Sequence, residues 1–173
     1  NFGAQCAVRL ALDLAGGAAP DAIARAVVSV KSSSAESLST RALPTHVAAR
    51  FSLPYAVASA LVRGRSVLAD FDDAAIADPR VRALMDRVEI RGDDALERAH
   101  LARGVFPARL ELHLADGTVR RGGLDAPQEG LSAGAVEAAF ADKLRALVPA
   151  EAEPLLAALD AGGPGGVIAR LLR

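Results

Sequence analysis

Aromatic residues are scarce in this chain. Its 173 residues include five Phe, one Tyr and no Trp, so the core must be assembled from Ala, Leu and Val. Apolar burial contributes roughly 25 cal/mol per Å2, and a small side chain has little area to bury. A core of this kind is expected to lean on a further domain or on a second copy. The single Cys6 excludes an internal disulfide and fits a reducing compartment, so the cytoplasm is the expected location. Lys and Arg number 20 against 21 Asp and Glu, a net charge of −1. That balance builds no basic field for nucleic acid. No apolar run is long enough to span a bilayer.

Metal and cofactor chemistry also lack their signals. The histidines are scattered at His46, His100 and His113, without HExxH spacing or a cysteine cluster, so no metal site is expected. Gly162 to Gly166 is not followed by Lys-Ser/Thr and reads as a helix breaker rather than a phosphate cradle. There is no Gly-x-Ser-x-Gly elbow. No cofactor is implied.

What is present is globular: 51% apolar and 24% charged. Ala4 to Ala15 reads as a helix with an Arg9–Asp13 pair at i, i+4, stopped by Gly16-Gly17. Pro20-Asp21 opens a short turn with Asp21 as its cap, and Ala26 to Lys31 alternates as a strand. Ser32 to Ser39 reads as a polar loop running on to Pro44, and the charged stretch Asp93 to Arg103 as a loop carrying His100. Asp78-Pro79 starts a helix whose buried stripe is Val81, Leu84, Met85 and Val88. Leu110, Leu112 and Leu114 alternate with Glu111 and His113, and Asp116-Gly117 supplies a hairpin turn. His113 then falls on a solvated face. Helices are expected over 132–147, 150–159 and 167–172. The class is α+β: a small antiparallel or mixed sheet with helices on one face, followed by C-terminal helices.

The most informative run is Thr45 to Gly64. It sets a small-residue helix behind Phe51-Ser52-Leu53-Pro54-Tyr55. Proline costs about 3 kcal/mol or more inside a helix but is tolerated in its first turn. Ser52 is therefore the N-cap and Gly64 the stop. Tyr55, the only tyrosine, shares a helical face with Phe51 and Ser59. It is either a core aromatic with a satisfied hydroxyl or a proton donor at a domain interface. Arg50 offers a charge for a carboxylate. Ser52 and His46 are lesser binding candidates, since a cap and a loop position account for them.

This run resembles the second-domain signature of the MmgE/PrpD family, which includes 2-methylcitrate dehydratases, cis-aconitate decarboxylases and iminodisuccinate epimerases. The opening Asn1-Phe2-Gly3-Ala4-Gln5-Cys6 is similar to the family's Lys-x-aromatic-Pro-x-His/Gln pattern, with the lysine falling just before Asn1. Phe71-Asp72-Asp73 with Ile76 to Leu84, Leu110 to Thr118, and Gly130-Leu131-Ser132 with Phe140 and Lys143-Leu144 match further segments in the family's order. The resemblance implies the C-terminal portion of a larger enzyme, with residues 1–126 as a lid domain and 127–173 as helices returning to an absent helical domain. It implies proton transfer next to a carboxylate on di- or tricarboxylates, without a cofactor, by a dehydratase, decarboxylase or epimerase. Tyr55 would be catalytic, and Gln5, Ser52, Arg50 and His46 would contact substrate. Gln5 stands where decarboxylase-like members have a histidine, and a glutamine cannot serve as a general base. The partners implied are a small carboxylate, the helical domain and a second copy in a homodimer, with the chain inactive alone. The alternative is a non-catalytic binding or oligomerisation module that keeps the lid fold.

Overall fold

A computed structural model describes residues 1–162. The chain divides into two units, residues 1–129 and residues 130–173.

Unit 1 is built on a four-stranded mixed sheet in the order β2-β1-β3-β4. Strand β1 (Ile23–Lys31) pairs parallel with β2 (Val88–Asp93) and antiparallel with β3 (Ala108–Leu114), which pairs antiparallel with β4 (Val119–Leu124). Residues of a strand alternate between the two faces. Ala26, Val28, Val30, Ala108, Leu110, Leu112 and Leu114 therefore form one apolar face, and all are buried. Arg25, Glu89, Arg91, Arg109, Glu111, His113 and Arg121 share the other face, laced with ion pairs.

Helices α1 (Gln5–Ala15) and α4 (Leu53–Arg63) cover the apolar face. The approach of α1 to β4 depends on Gly122, where an added Cβ would stand 3.0 Å from Leu10. Gly16 ends α1 with φ 49°, a left-handed conformation that glycine adopts at low cost. The Arg9–Asp13 pair forms at 2.7 Å. The turn at Pro20–Ala22 is present, but Asp21 lies inside it and Ala19 holds the cap position.

Two segments read as loops are helices. Ser32–Leu38 forms α2, because Ser34 and Leu38 point inward and its first turn is anchored from outside. Glu97 accepts the Ser33 N–H at 2.9 Å, and the Ser32 hydroxyl donates to Asp94 at 2.7 Å. Asp94–Arg103 forms α7, capped by the Asp93 carboxylate, which accepts from the N–H of Ala95 and Leu96. Acidic residues in its first turn and basic ones in its last complement the helix dipole. Helix α7 packs on β1; Val27 and Leu96 are buried outside the main core. Strand β2 was not expected from the sequence. It is a charged edge strand, and Val88 belongs to it rather than to the preceding helix, although the residue is buried as expected. The hairpin turns at Gly117, with φ 86°.

Three short helices complete the unit: α3 (His46–Arg50), α5 (Asp73–Ala77) and α6 (Pro79–Met85). In unit 2, α8 (Ala133–Leu147) is capped by Ser132, and α9 spans Ala152–Gly162. The expected helix over 167–172 and the residues of the glycine run beyond Gly162 lie outside the described residues. No described helix is long and apolar enough to cross a membrane.

Candidate functional site

Four of the five residues singled out by sequence lie on one helix-turn-helix segment of unit 1. The Thr45 hydroxyl accepts the Ala48 N–H at 3.1 Å and starts α3. This helix holds His46, Val47 and Arg50 at the surface, followed by exposed Phe51. Ser52 then turns inward. Its Oγ accepts the Tyr55 N–H at 3.2 Å and donates to the Thr40 carbonyl at 2.6 Å. Pro54 occupies the first turn of α4, where its missing N–H costs nothing.

Tyr55 has no solvent-exposed surface. Its hydroxyl donates to the Asp70 carbonyl at 2.6 Å, and its ring packs edge-on against Phe71 at 5.6 Å. Burial pushes the phenol above its ordinary value, offset in part by its polar neighbours. As placed here, Tyr55 ties α4 to the 3-10 turn Leu68–Phe71. Gln5 lies apart from the segment, at the first position of α1, and is half-buried. Cys6 beside it is buried, and burial first, then Asp125 and Glu129, raises its thiol to about 11. That thiol is not a nucleophile near neutral pH.

The turn below Tyr55 introduces a residue that sequence reasoning missed. Asp70 is 1% exposed, an unusual position for a carboxylate unless paired. Its Oδ2 accepts the Val67 N–H at 2.8 Å. Its Oδ1 accepts from the Arg65 guanidinium at 3.3 and 3.2 Å, and Arg63 Nε stands 3.9 Å away. Arg63 also donates to Asp78 at 3.1 Å, which in turn takes Arg80 at 3.0 Å. These groups line an open depression of about 580 Å3. Each of its three arginines has a carboxylate partner, and Asp72 lines it as well. A substrate carboxylate would have to displace those partners. These pairs commit the guanidiniums of the depression to the fold, although Arg63 Nε, buried, makes no hydrogen bond of its own.

A second depression, of about 320 Å3, lies along the β2 edge and is lined by Arg25, Arg41, Arg87 and Glu89 with Pro54 and Ser39. Its guanidiniums are held differently, mostly by backbone carbonyls. Neither Arg41 nor Arg87 stood out in the sequence, where an arginine between polar or apolar neighbours has no distinguishing period.

The turn Leu68–Phe71 neighbours α3, and Val47, Phe51, Val67 and Leu68, on or next to these two elements, are each about half accessible. Isolated exposed apolar side chains are normal; these four lie on neighbouring segments of the chain's fold. His46 and Arg50 lie beside them on α3. His100, for its part, sits on α7 with Nδ1 2.7 Å from the Val105 carbonyl. Among the described residues, no group of three or more His, Cys, Asp or Glu is placed to hold a metal ion.

Compared with known families, the chain matches the MmgE/PrpD C-terminal domain over residues 1–154. No curated protein matches it.

Proposed function

The chain belongs to the MmgE/PrpD family through its C-terminal domain, and from that premise we propose that it is the lid portion of a cofactor-independent enzyme. The reaction is proton transfer next to a carboxylate of a di- or tricarboxylate, as a lyase or an isomerase. The observation that carries this reading is the exposed surface of Val47, Phe51, Val67 and Leu68 beside His46 and Arg50. A helical domain docked there would bury the apolar side chains. It would also bring the imidazole and the guanidinium to the rim of a closed cleft, where a carboxylate could be bound away from water.

In this reading the lid supplies binding groups, and the helical domain supplies the base. Gln5 offers an amide to a carboxylate or carbonyl oxygen but takes no proton. Tyr55 acts on substrate only if closure releases its hydroxyl from the Asp70 carbonyl; until then it holds the wall behind the site. The assembly is a cytoplasmic homodimer.

The test is turnover of 2-methylcitrate and of cis-aconitate by this chain alone, then by the same chain joined to a family helical domain. We expect no turnover alone and measurable turnover on joining, reduced at least tenfold by Arg50→Gln. Turnover by the isolated chain would sink the proposal. So would activity of the joined protein that ignores Phe51→Ser, a change that leaves the lid's own fold intact because Phe51 is exposed. A second reading, a binding module without catalysis, draws on Gln5 in the place of a histidine. It expects carboxylate binding by the joined protein with no turnover of either compound.

A further inference from the structure

The depression along the β2 edge is lined by more guanidiniums than carboxylates. Arg25, Arg41 and Arg87 line it, together with a single carboxylate, Glu89. Glu89 is already shared, since it pairs with Arg25 and, at 2.6 Å, with Arg91. Those two guanidiniums, Arg91 first, hold its carboxyl below the usual carboxylate range, so it stays ionised and paired.

Arg41 and Arg87 have no carboxylate within 4.0 Å among the described residues. Arg41 donates to the carbonyls of Met85 and Val88, which covers part of the exposed edge of β2. Arg87 donates to the Ile23 carbonyl at 3.0 Å through Nη1. Carbonyl dipoles orient a guanidinium but leave its full charge in place. A guanidinium presents five N–H donors in a planar fork, and these contacts use only part of each. Both residues line the same concave surface, together with Val88, Ile90 and Pro54.

Edge coverage alone accounts for Arg41. It does not account for Arg87 and Arg25 converging on the same depression, nor for the lack of a carboxylate beside Arg41 and Arg87 among the described residues. We propose that this depression is a binding site for a small oxyanion, a carboxylate or a phosphate group, held by the guanidiniums of Arg41 and Arg87 with Arg25 at the rim. The site stands on its own charges and geometry and does not depend on the enzymatic reading above. Planar forks match both oxyanions in bidentate fashion, so charge and size select the ligand and not its central atom.

The experiment is a titration of the full chain with sodium phosphate and, separately, with sodium citrate, at ionic strength held constant with sodium chloride. Binding is followed by calorimetry and by the arginine Nε–Hε signals in NMR, which report on the wild-type protein without any substitution. We expect saturable binding of at least one anion, with shifts at Arg41 and Arg87 and none at Arg65 or Arg80. Arg87→Gln should weaken binding about tenfold or more, the scale of a charged hydrogen-bonded contact, while Arg80→Gln leaves it unchanged. Preference for phosphate assigns the site to phosphorylated ligands, and preference for citrate to carboxylates. No saturation beyond the chloride control, or shifts spread evenly over all arginines, would overturn the site.

Discussion

The two arginine-lined depressions of unit 1 hold similar numbers of guanidiniums and differ in what faces them. Around Asp70 every arginine has a carboxylate, and the hub of the network is a side chain withdrawn from solvent. Along β2 the arginines lean on backbone carbonyls, and their one carboxylate is half-exposed and doubly paired. The first arrangement spends its charge on the fold; the second keeps charge in reserve. The difference shows that counting basic residues in a cavity says little about ligands until their partners are assigned.

The largest effect that would sharpen this contrast is expected at Asp70. Asp70→Ala removes the partner of Arg65, one partner of Arg63 and the acceptor for the Val67 N–H. Loss of one member of a buried pair costs about 3–5 kcal/mol when both charges are enclosed. Arg65 is largely exposed and can be rehydrated, so about 3 kcal/mol, the low end of that range, is expected in urea unfolding. Arg41→Ala, at the other depression, should cost about 1 kcal/mol, the scale of ordinary hydrogen bonds. Equal losses at the two positions would erase the distinction between a structural and a spare cluster.

Tyr55→Phe comes next. It deletes one hydroxyl and leaves the Asp70 carbonyl without that donor inside the core. A loss of about 1–2 kcal/mol is expected from an unsatisfied buried group. The substitution also separates two roles for Tyr55. A wall residue loses stability and keeps kcat in the joined enzyme, whereas a proton donor loses the same stability and also loses kcat by orders of magnitude.

Much of the frame around these sites was legible in the sequence. The N-cap Ser52, the first-turn Pro54 and the stop at Gly64 delimit α4, because each encodes a local backbone requirement. The alternation of Leu110, Leu112 and Leu114 gave β3 its buried face for the same reason. The resemblance carried by these segments is met by a family match over residues 1–154. What escaped was held by distant partners. Helix α2 is a serine-rich stretch whose first turn depends on Asp94 and Glu97, some sixty residues away. Helix α7 buries only Leu96, so it shows no apolar period, though its Asp93 cap and Gly104 stop were readable as punctuation. Strand β2 alternates Val88 and Ile90 with Glu89 and Arg91, a signal too short to separate Val88 from the stripe of the preceding helix until β1 pairs with it. Asp70 and Arg41 acquire their roles only from the tertiary contacts that surround them.

The smallest effect expected is a pH response, which tests the comparison without removing a buried group. Asp78 lies on the rim of the first depression, where the Arg80 hydrogen bond, more than any other contact, holds its carboxyl below the usual carboxylate range. A carboxyl depressed in the folded state contributes stability above its unfolded value, near about 4, and loses it as pH falls through the folded value. Asp78→Asn keeps a side chain able to cap α6 but cannot ionise. Its thermal midpoint should lie below wild type at neutral pH, and the two curves should converge as the pH falls below about 4. Glu89 is depressed as well, by Arg91 and then Arg25, yet its side chain is far more exposed than that of Asp78. Solvent screens such pairs strongly, so Glu89→Gln should shift the acid limb less than Asp78→Asn. At neutral pH it should also strengthen phosphate binding, because it removes the one negative charge in that depression. If Glu89→Gln moved the acid limb more than Asp78→Asn and left anion binding unchanged, Glu89 would be a structural partner on a par with Asp78, and the reserve of charge along β2 would have to be abandoned.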